Sequence, residues 1–136
     1  MHILKLQCVQ NCLAKVVILP PQFSHSIPLL KSLPWFPVHS RIVFKLCTVA
    51  YQTISSGEPS HLFSTLSLAP KPRELRSSGF RLFFVPRIKT HVGTRAFSVA
   101  VPTLWNSLPE YVKSSNSTVS SRHHLKTLLF RLAYPS

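Results

Sequence analysis

Val38-His39-Ser40-Arg41-Ile42-Val43-Phe44-Lys45-Leu46-Cys47-Thr48-Val49-Ala50-Tyr51-Gln52-Thr53-Ile54 is the stretch on which the fold turns. Arg41, Lys45, Thr48 and Gln52 recur at i, i+4, i+7 and i+11, so on a helix they form one narrow polar stripe. Ile42, Phe44, Leu46, Val49, Tyr51 and Ile54 fill most of the remaining circumference. A helix that is apolar over so wide an arc has to be central to a core. The stretch therefore predicts an α fold arranged around residues 38–54, with Ser55-Ser56-Gly57-Glu58-Pro59 as the stop.

Towards the N-terminus, residues 3–19 carry a second helical period. Leu6, Val9, Leu13, Val16 and Val17 share one face, while Lys5, Cys8, Cys12 and Lys15 line another. Pro20-Pro21 ends that helix, because proline lacks the N–H and disfavours the α region before it. A short helix is expected around Ile27 to Leu33, followed by the rigid apolar connection Leu33-Pro34-Trp35-Phe36-Pro37. Past the central helix, one helical turn is expected from Ser60 to Leu66. The character then changes from Ala69 to Arg95. Phe80 to Pro86 has strand composition and Gly93 lies in a turn over Thr90 to Thr94, which together predict a small β-hairpin. Ala96 to Trp105 and Pro109 to Lys113 read as short helices. A Ser-rich linker, Ser114 to Ser121, leads to a final helix from about Arg122 to Ala133, striped by Leu125, Leu128, Leu129 and Leu132. The expectation is mainly α, a small irregular helical domain with a minor β-hairpin. It divides into a helical region 1–68, a basic segment 69–95 and a helical end 96–136, in one domain or partial domain.

Charge narrows the classes of function. Sixteen Lys and Arg face three acids, for a net charge of +13, which favours polyanionic partners, either nucleic acid or an anionic membrane. Aspartate is absent, and the only carboxylate side chains are Glu58, Glu74 and Glu110. Phosphoryl transfer on nucleic acids needs clustered carboxylates to hold two metal ions about 4 Å apart. Three scattered glutamates are a poor basis for that, so no enzyme activity, catalytic residue or cofactor is expected. The three cysteines, Cys8, Cys12 and Cys47, form no CxxC and no even set, which points to a reducing compartment and against a disulfide scaffold. No apolar run approaches the ~20 residues of a transmembrane helix. Gln7, Gln10 and Asn11 interrupt what would be a signal-peptide core. An intracellular location, cytoplasmic or nuclear, is therefore favoured over secretion. Asn116-Ser117-Thr118 matches a glycosylation sequon, which has meaning only in a secreted chain.

Several blocks together resemble one family. Leu6-Gln7-Cys8-Val9-Gln10-Asn11 is similar to the "LQRVQNRAARLV" helix that follows the polymerase domain of LINE-type (non-LTR) retrotransposon reverse transcriptases. Leu33-Pro34-Trp35-Phe36-Pro37-Val38, with Arg41-Ile42 and Phe44-Lys45, resembles that family's "LHWLPVxxRIxFK", and Leu75-Arg76-Ser77-Ser78 its "LRSS". Arg95 to Pro109, RAFSVAVPTLWNSLP, resembles "RAFSVAAPRLWNSLP"; Leu125-Lys126-Thr127 with Leu129-Phe130 resembles the closing "LKTHLF". The blocks keep the family's order over nearly the whole chain. The resemblance implies a C-terminal tail without the endonuclease, the polymerase or its metal-binding Asp motif, all of which lie upstream. It also implies a polymerase domain as the tail's packing partner, which would leave a docking face bare here, with Leu6, Val9 and Leu13 of residues 3–19 as the candidate patch. Cys8 and Cys12 stand where the family has Arg, and Pro34 where it has His, which implies a truncated or decayed copy.

The candidate site is a phosphate-contacting surface. Lys71, Arg73, Arg76, Arg81, Arg87, Lys89 and Arg95 face only Glu74 across the basic stretch, and Arg41 and Lys45 come second. Such cations would release condensed counterions from RNA or DNA backbone, and Phe80, Phe83 or Phe84 would be available to stack on bases. The plainer reading is a solvated basic face with the phenylalanines in the core. A zinc site needs tight Cys/His spacing, which Cys8, Cys12 and the seven histidines do not offer, so no metal is expected. His123-His124 reads as a solvent-facing pair, and Trp35 and Trp105 as buried anchors. The expected role is a basic tail that contacts nucleic-acid backbone or scaffolds a polymerase. The alternative is a translated relic without selected activity, which adheres to nucleic acid or anionic membranes only nonspecifically.

Overall fold

The computed structural model describes residues 2–21, 23–66 and 82–135. Among them run seven α-helices: α1 (His2–Ile18), α2 (Ser26–Ser32), α3 (Val38–Ser56), α4 (Ser60–Thr65), α5 (Phe97–Ser107), α6 (Glu110–Lys113) and α7 (Thr118–Ala133). The chain is mainly α, and it divides into two compact units. One comprises residues 1–44 and 125–136, the other residues 45–124.

In the first unit, α1 packs on α2. Ala14, Leu30 and Tyr134 are buried together, with Leu29, Leu33, Trp35, Phe130 and Ala133 closing around them. The Tyr134 hydroxyl donates to the Trp35 carbonyl at 2.5 Å, and the Phe130 and Tyr134 rings lie 4.9 Å apart. Burial raises the Tyr134 phenol above its ordinary range, and the Arg41 cation partly opposes that. α1 is held by its polar side. Gln10 is buried and its Nε2 donates to the Phe36 carbonyl at 2.7 Å, while the Gln7 Oε1 accepts from the Val38 N–H at 2.8 Å. The first N–H groups of a helix have no partner within it, and here one at the start of α3 is satisfied from α1. The expected apolar face of α1 is bare: Leu6, Val9 and Leu13 are 56%, 58% and 52% exposed.

The second unit is built around Ala50, Tyr51, Leu66, Phe83, Val101 and Trp105, with Leu46, Ile54, Phe97 and Leu108 packed at the margin. Trp105 meets Tyr51 at 6.4 Å and the edge of Phe83 at 6.1 Å between ring centroids. The Tyr51 hydroxyl donates to the Ser115 carbonyl. α3 does enter this core, but its polar stripe is interrupted. Thr48 is buried along with Cys47, Ala50, Tyr51 and Thr53, whereas Lys45 and Gln52 are exposed. Gly57, at φ 73, ends α3 by donating its N–H back to the Thr53 carbonyl at 2.9 Å, a left-handed cap that glycine takes without steric cost.

Two expectations need correcting. The β-hairpin is not formed among the described residues: Phe83 occupies one isolated bridge position, and the turn with Gly93 becomes a 3-10 turn, Gly93–Arg95. The expected strand's first residues, Phe80 and Arg81, lie outside the described residues. At Phe83 a side-chain amide satisfies both of the backbone groups that a hairpin ladder would otherwise pair. The Phe83 N–H donates to Asn106 Oδ1 at 3.0 Å, and the Phe83 carbonyl accepts from Asn106 Nδ2 at 2.9 Å. The Ser-rich linker is also shorter than expected, because α7 begins at Thr118. Ser117 Oγ accepts the Ser120 N–H at 3.1 Å, three residues on, as an N-capping serine does.

Candidate nucleic-acid interface

The described part of the basic segment, residues 82–95, is anchored near its start and folded at its end. At the anchor, the Phe83 ring is sunk into the core while the Asn106 amide grips its backbone from α5. The neighbouring side chains Leu82 and Phe84 are exposed. At the far end the chain doubles back on itself. A Cβ placed on Gly93 would stand 2.4 Å from Ile88 Cγ2 and 2.8 Å from Thr90 Oγ1, so no larger residue fits without displacing them. Thr90 Oγ1 accepts the Gly93 N–H at 3.2 Å, and the Thr94 hydroxyl donates to the His91 carbonyl at 2.7 Å. The Ala96 N–H returns to the Gly93 carbonyl at 3.0 Å, and α5 starts one residue later.

This architecture places Arg87 and Lys89 on the limb entering the turn and Arg95 at the turn's last residue, all three exposed. Of the second-rank cations, Lys45 is exposed on α3 in the second unit. Arg41 is exposed in the first, where its Nε donates to the Phe36 carbonyl at 3.2 Å. Among the described residues, none of these five cations is paired with a carboxylate. Lys71, Arg73, Arg76 and Arg81 lie outside the described residues. Exposed cations with no acidic partner are what phosphate contact requires, since each keeps its full charge for an incoming polyanion.

The aromatic part of the expected surface is reduced. Phe83 is buried against Trp105 and is not available to stack, Phe84 is half exposed, and Phe80 lies outside the described residues. Trp105 is the core anchor expected, and Trp35 is half-buried against the cluster of the first unit. Asn106 is the residue that sequence reasoning missed. Its signal was faint, a single amide directly after Trp105 on a helix that is otherwise apolar or hydroxylic.

No group of three or more His, Cys, Asp or Glu able to hold a metal ion occurs among the described residues. Cys8 and Cys12 are exposed free thiols, and Cys47 is a buried one whose desolvation pushes its pKa up to about 11. Burial lowers the pKa of Lys113, with the nearby Glu110 partly restoring it; its Nζ donates to the Asn106 carbonyl at 3.2 Å. An open cleft at the end of α3 is lined by Val49, Gln52, Thr53, Ser56, Glu58, Pro59 and Ser60. It contains one carboxylate and neither histidine nor cysteine. No family model, no curated protein and no solved structure matches this chain.

Proposed function

We propose that this chain is the non-catalytic, basic C-terminal segment of a retrotransposon reverse transcriptase, and that it holds nucleic acid by its phosphate backbone. The family setting is supported by the ordered blocks of sequence, from Leu6-Gln7 through Arg95 to Pro109 and on to Leu125-Lys126-Thr127. The contact itself is supported above all by one observation: Arg87, Lys89 and Arg95 stand exposed and, among the described residues, without carboxylate partners, on a stretch that Asn106 and Phe83 fasten to the core. Phosphate contacts position a protein without reading bases, so sequence preference is slight.

Salt dependence tests this reading. For ~5 phosphates neutralised on a single strand, log K falls with log salt at a slope near −3.5. Changing Arg76, Arg81, Arg87 and Lys89 together to Gln flattens that slope by about 3, if each contacts one phosphate. The matched control removes four exposed cations of the other unit, Lys5, Lys15, Lys31 and Lys126. Lys113 is unsuitable for that control, because its ammonium is already engaged with Asn106. A translated relic that adheres to any polyanion through net charge alone loses affinity equally in both quadruple variants. Equal losses therefore refute a dedicated surface.

A further inference from the structure

α1 exposes the residues that a helix of a folded domain ordinarily buries. Gln10 and Ala14 are its buried positions, while Leu6, Val9, Leu13, Val16 and Val17 are all more than half exposed. At 100° per residue these five cover an arc of about 100°. Lys5 borders that arc, and Leu19 and Phe23, the latter 95% exposed, are further bare apolar residues just beyond the helix. Because Gln7 and Gln10 are committed to Val38 and Phe36, α1 cannot roll to bury its apolar side without breaking both hydrogen bonds.

Charge says what covers the stripe. Every charged side chain of the unit that carries α1 is a cation: Lys5, Lys15, Lys31, Arg41, Lys126 and Arg131. A second copy of the chain would bring the same charge against itself. Nucleic acid would satisfy the cations but offers no apolar phase for leucine and valine. An anionic lipid surface supplies both, acyl chains for the stripe and headgroup charge for the lysines, whose stems reach along apolar surface while the ammonium stays wet. No helix among the described residues is long and apolar enough to cross a membrane, so the geometry is that of a helix lying in the interface. We propose that α1, extended by Leu19 and Phe23, is an anchor for anionic membrane surfaces. This proposal rests on residues of the other unit from Arg87, Lys89 and Arg95 and does not depend on their contact with nucleic acid.

The experiment uses the full chain carrying Cys8→Ser, with an environment-sensitive fluorophore on exposed Cys12; buried Cys47 stays unlabelled. Phosphatidylcholine vesicles containing phosphatidylserine should produce a blue shift and co-flotation, and vesicles of phosphatidylcholine alone much less. Leu6→Gln, Val9→Gln and Leu13→Gln together should weaken vesicle binding by about a hundredfold, given the area these side chains would bury. Phe23→Ser, which lies outside any helix, should weaken binding severalfold even if the triple variant alters α1. Lys5→Gln with Lys15→Gln should narrow the preference for anionic vesicles. Arg87→Gln, Lys89→Gln and Arg95→Gln together should leave the blue shift in place. The proposal is overturned if anionic vesicles give no blue shift or if both the triple variant and Phe23→Ser bind like the parent. It is also overturned if RNA, or self-association without vesicles, produces the same shift.

Discussion

Replacing Asn106 by Ala removes one side chain and leaves two backbone groups unpaired, the N–H and the carbonyl of Phe83. Phe83 is buried, so water does not fully replace the lost partners. A buried donor or acceptor left without a partner costs about 1–3 kcal/mol, so the pair costs roughly 2–4 kcal/mol once partial relaxation is allowed. Asn106→Asp is the graded comparison. It keeps an acceptor for the Phe83 N–H but sets a carboxylate oxygen against the Phe83 carbonyl, so it loses one bond and gains a repulsion. Urea unfolding followed by Trp105 fluorescence, in a Trp35→Phe background, reads the stability of the second unit. Trypsin cleavage after Arg87 and Lys89 reads the loosening of the segment. The consequence for binding is distinctive. Asn106→Ala should weaken RNA affinity, because a freed segment must be ordered again on contact, yet leave the salt slope unchanged, because no charge has been removed. A stability loss under about 0.5 kcal/mol with unaltered tryptic cleavage would refute the bracket. A flattened salt slope would refute its separation from the charge.

Two further outcomes are expected. Cys47 has its pKa raised from the ordinary 9.0 to about 11, so the folded state holds a proton that the unfolded state releases. Its contribution to stability is fully present below pH 9 and is lost as pH rises towards 11. Cys47→Ala should reduce the alkaline decline by about 2–3 kcal/mol, and a decline identical in the variant would count against burial of the thiol. Supplied with template, primer, dNTPs and Mg²⁺ or Mn²⁺, the purified chain should neither extend nor nick; activity abolished by changing Glu58, Glu74 and Glu110 to Gln would overturn the non-catalytic reading.

The helical skeleton was legible because its signals are local. Pro20-Pro21, Gly57 and the spacing of Arg41, Lys45 and Gln52 fix where helices begin, end and turn outward, and the helices α1 to α7 lie close to the periods and stops that announce them. The hairpin was misread for an equally definite reason. Strand composition around Phe83 reports an extended backbone with an apolar side chain to bury, and the structure supplies both. It does not report what pairs with that backbone. A ladder and an Asn106 amide satisfy the same two groups, and residues 83 and 106 are too far apart in sequence for any local pattern to connect them. The Ser114 to Ser121 stretch fails in the same way, since serine composition marks a loop while one serine, Ser117, is already the cap of the next helix. At the site, the exposure of Arg87, Lys89 and Arg95 follows from their chemistry, whereas the sinking of Phe83 and the exposure of Phe84 follow from side-chain direction along an extended chain.

α1 takes the point furthest. Its period is clear in the sequence, but the rule that the apolar face goes inward fails here. The face that goes in is the one that can complete hydrogen bonds, Gln10 to Phe36 and Val38 to Gln7, and it seats a small residue, Ala14, against Leu30 and Tyr134. Polar seating of this kind is costly: Gln10 Oε1 is buried with no partner. Meanwhile a stripe of leucine and valine is left in water, at about 25 cal/mol for each Å² that could have been hidden. A chain stabilised for itself alone would gain by reversing that helix. The stripe is left for something else to cover: the resemblance implies a polymerase domain, while the all-cationic charge of the unit that carries α1 favours an anionic surface with an apolar interior over a second copy of this chain.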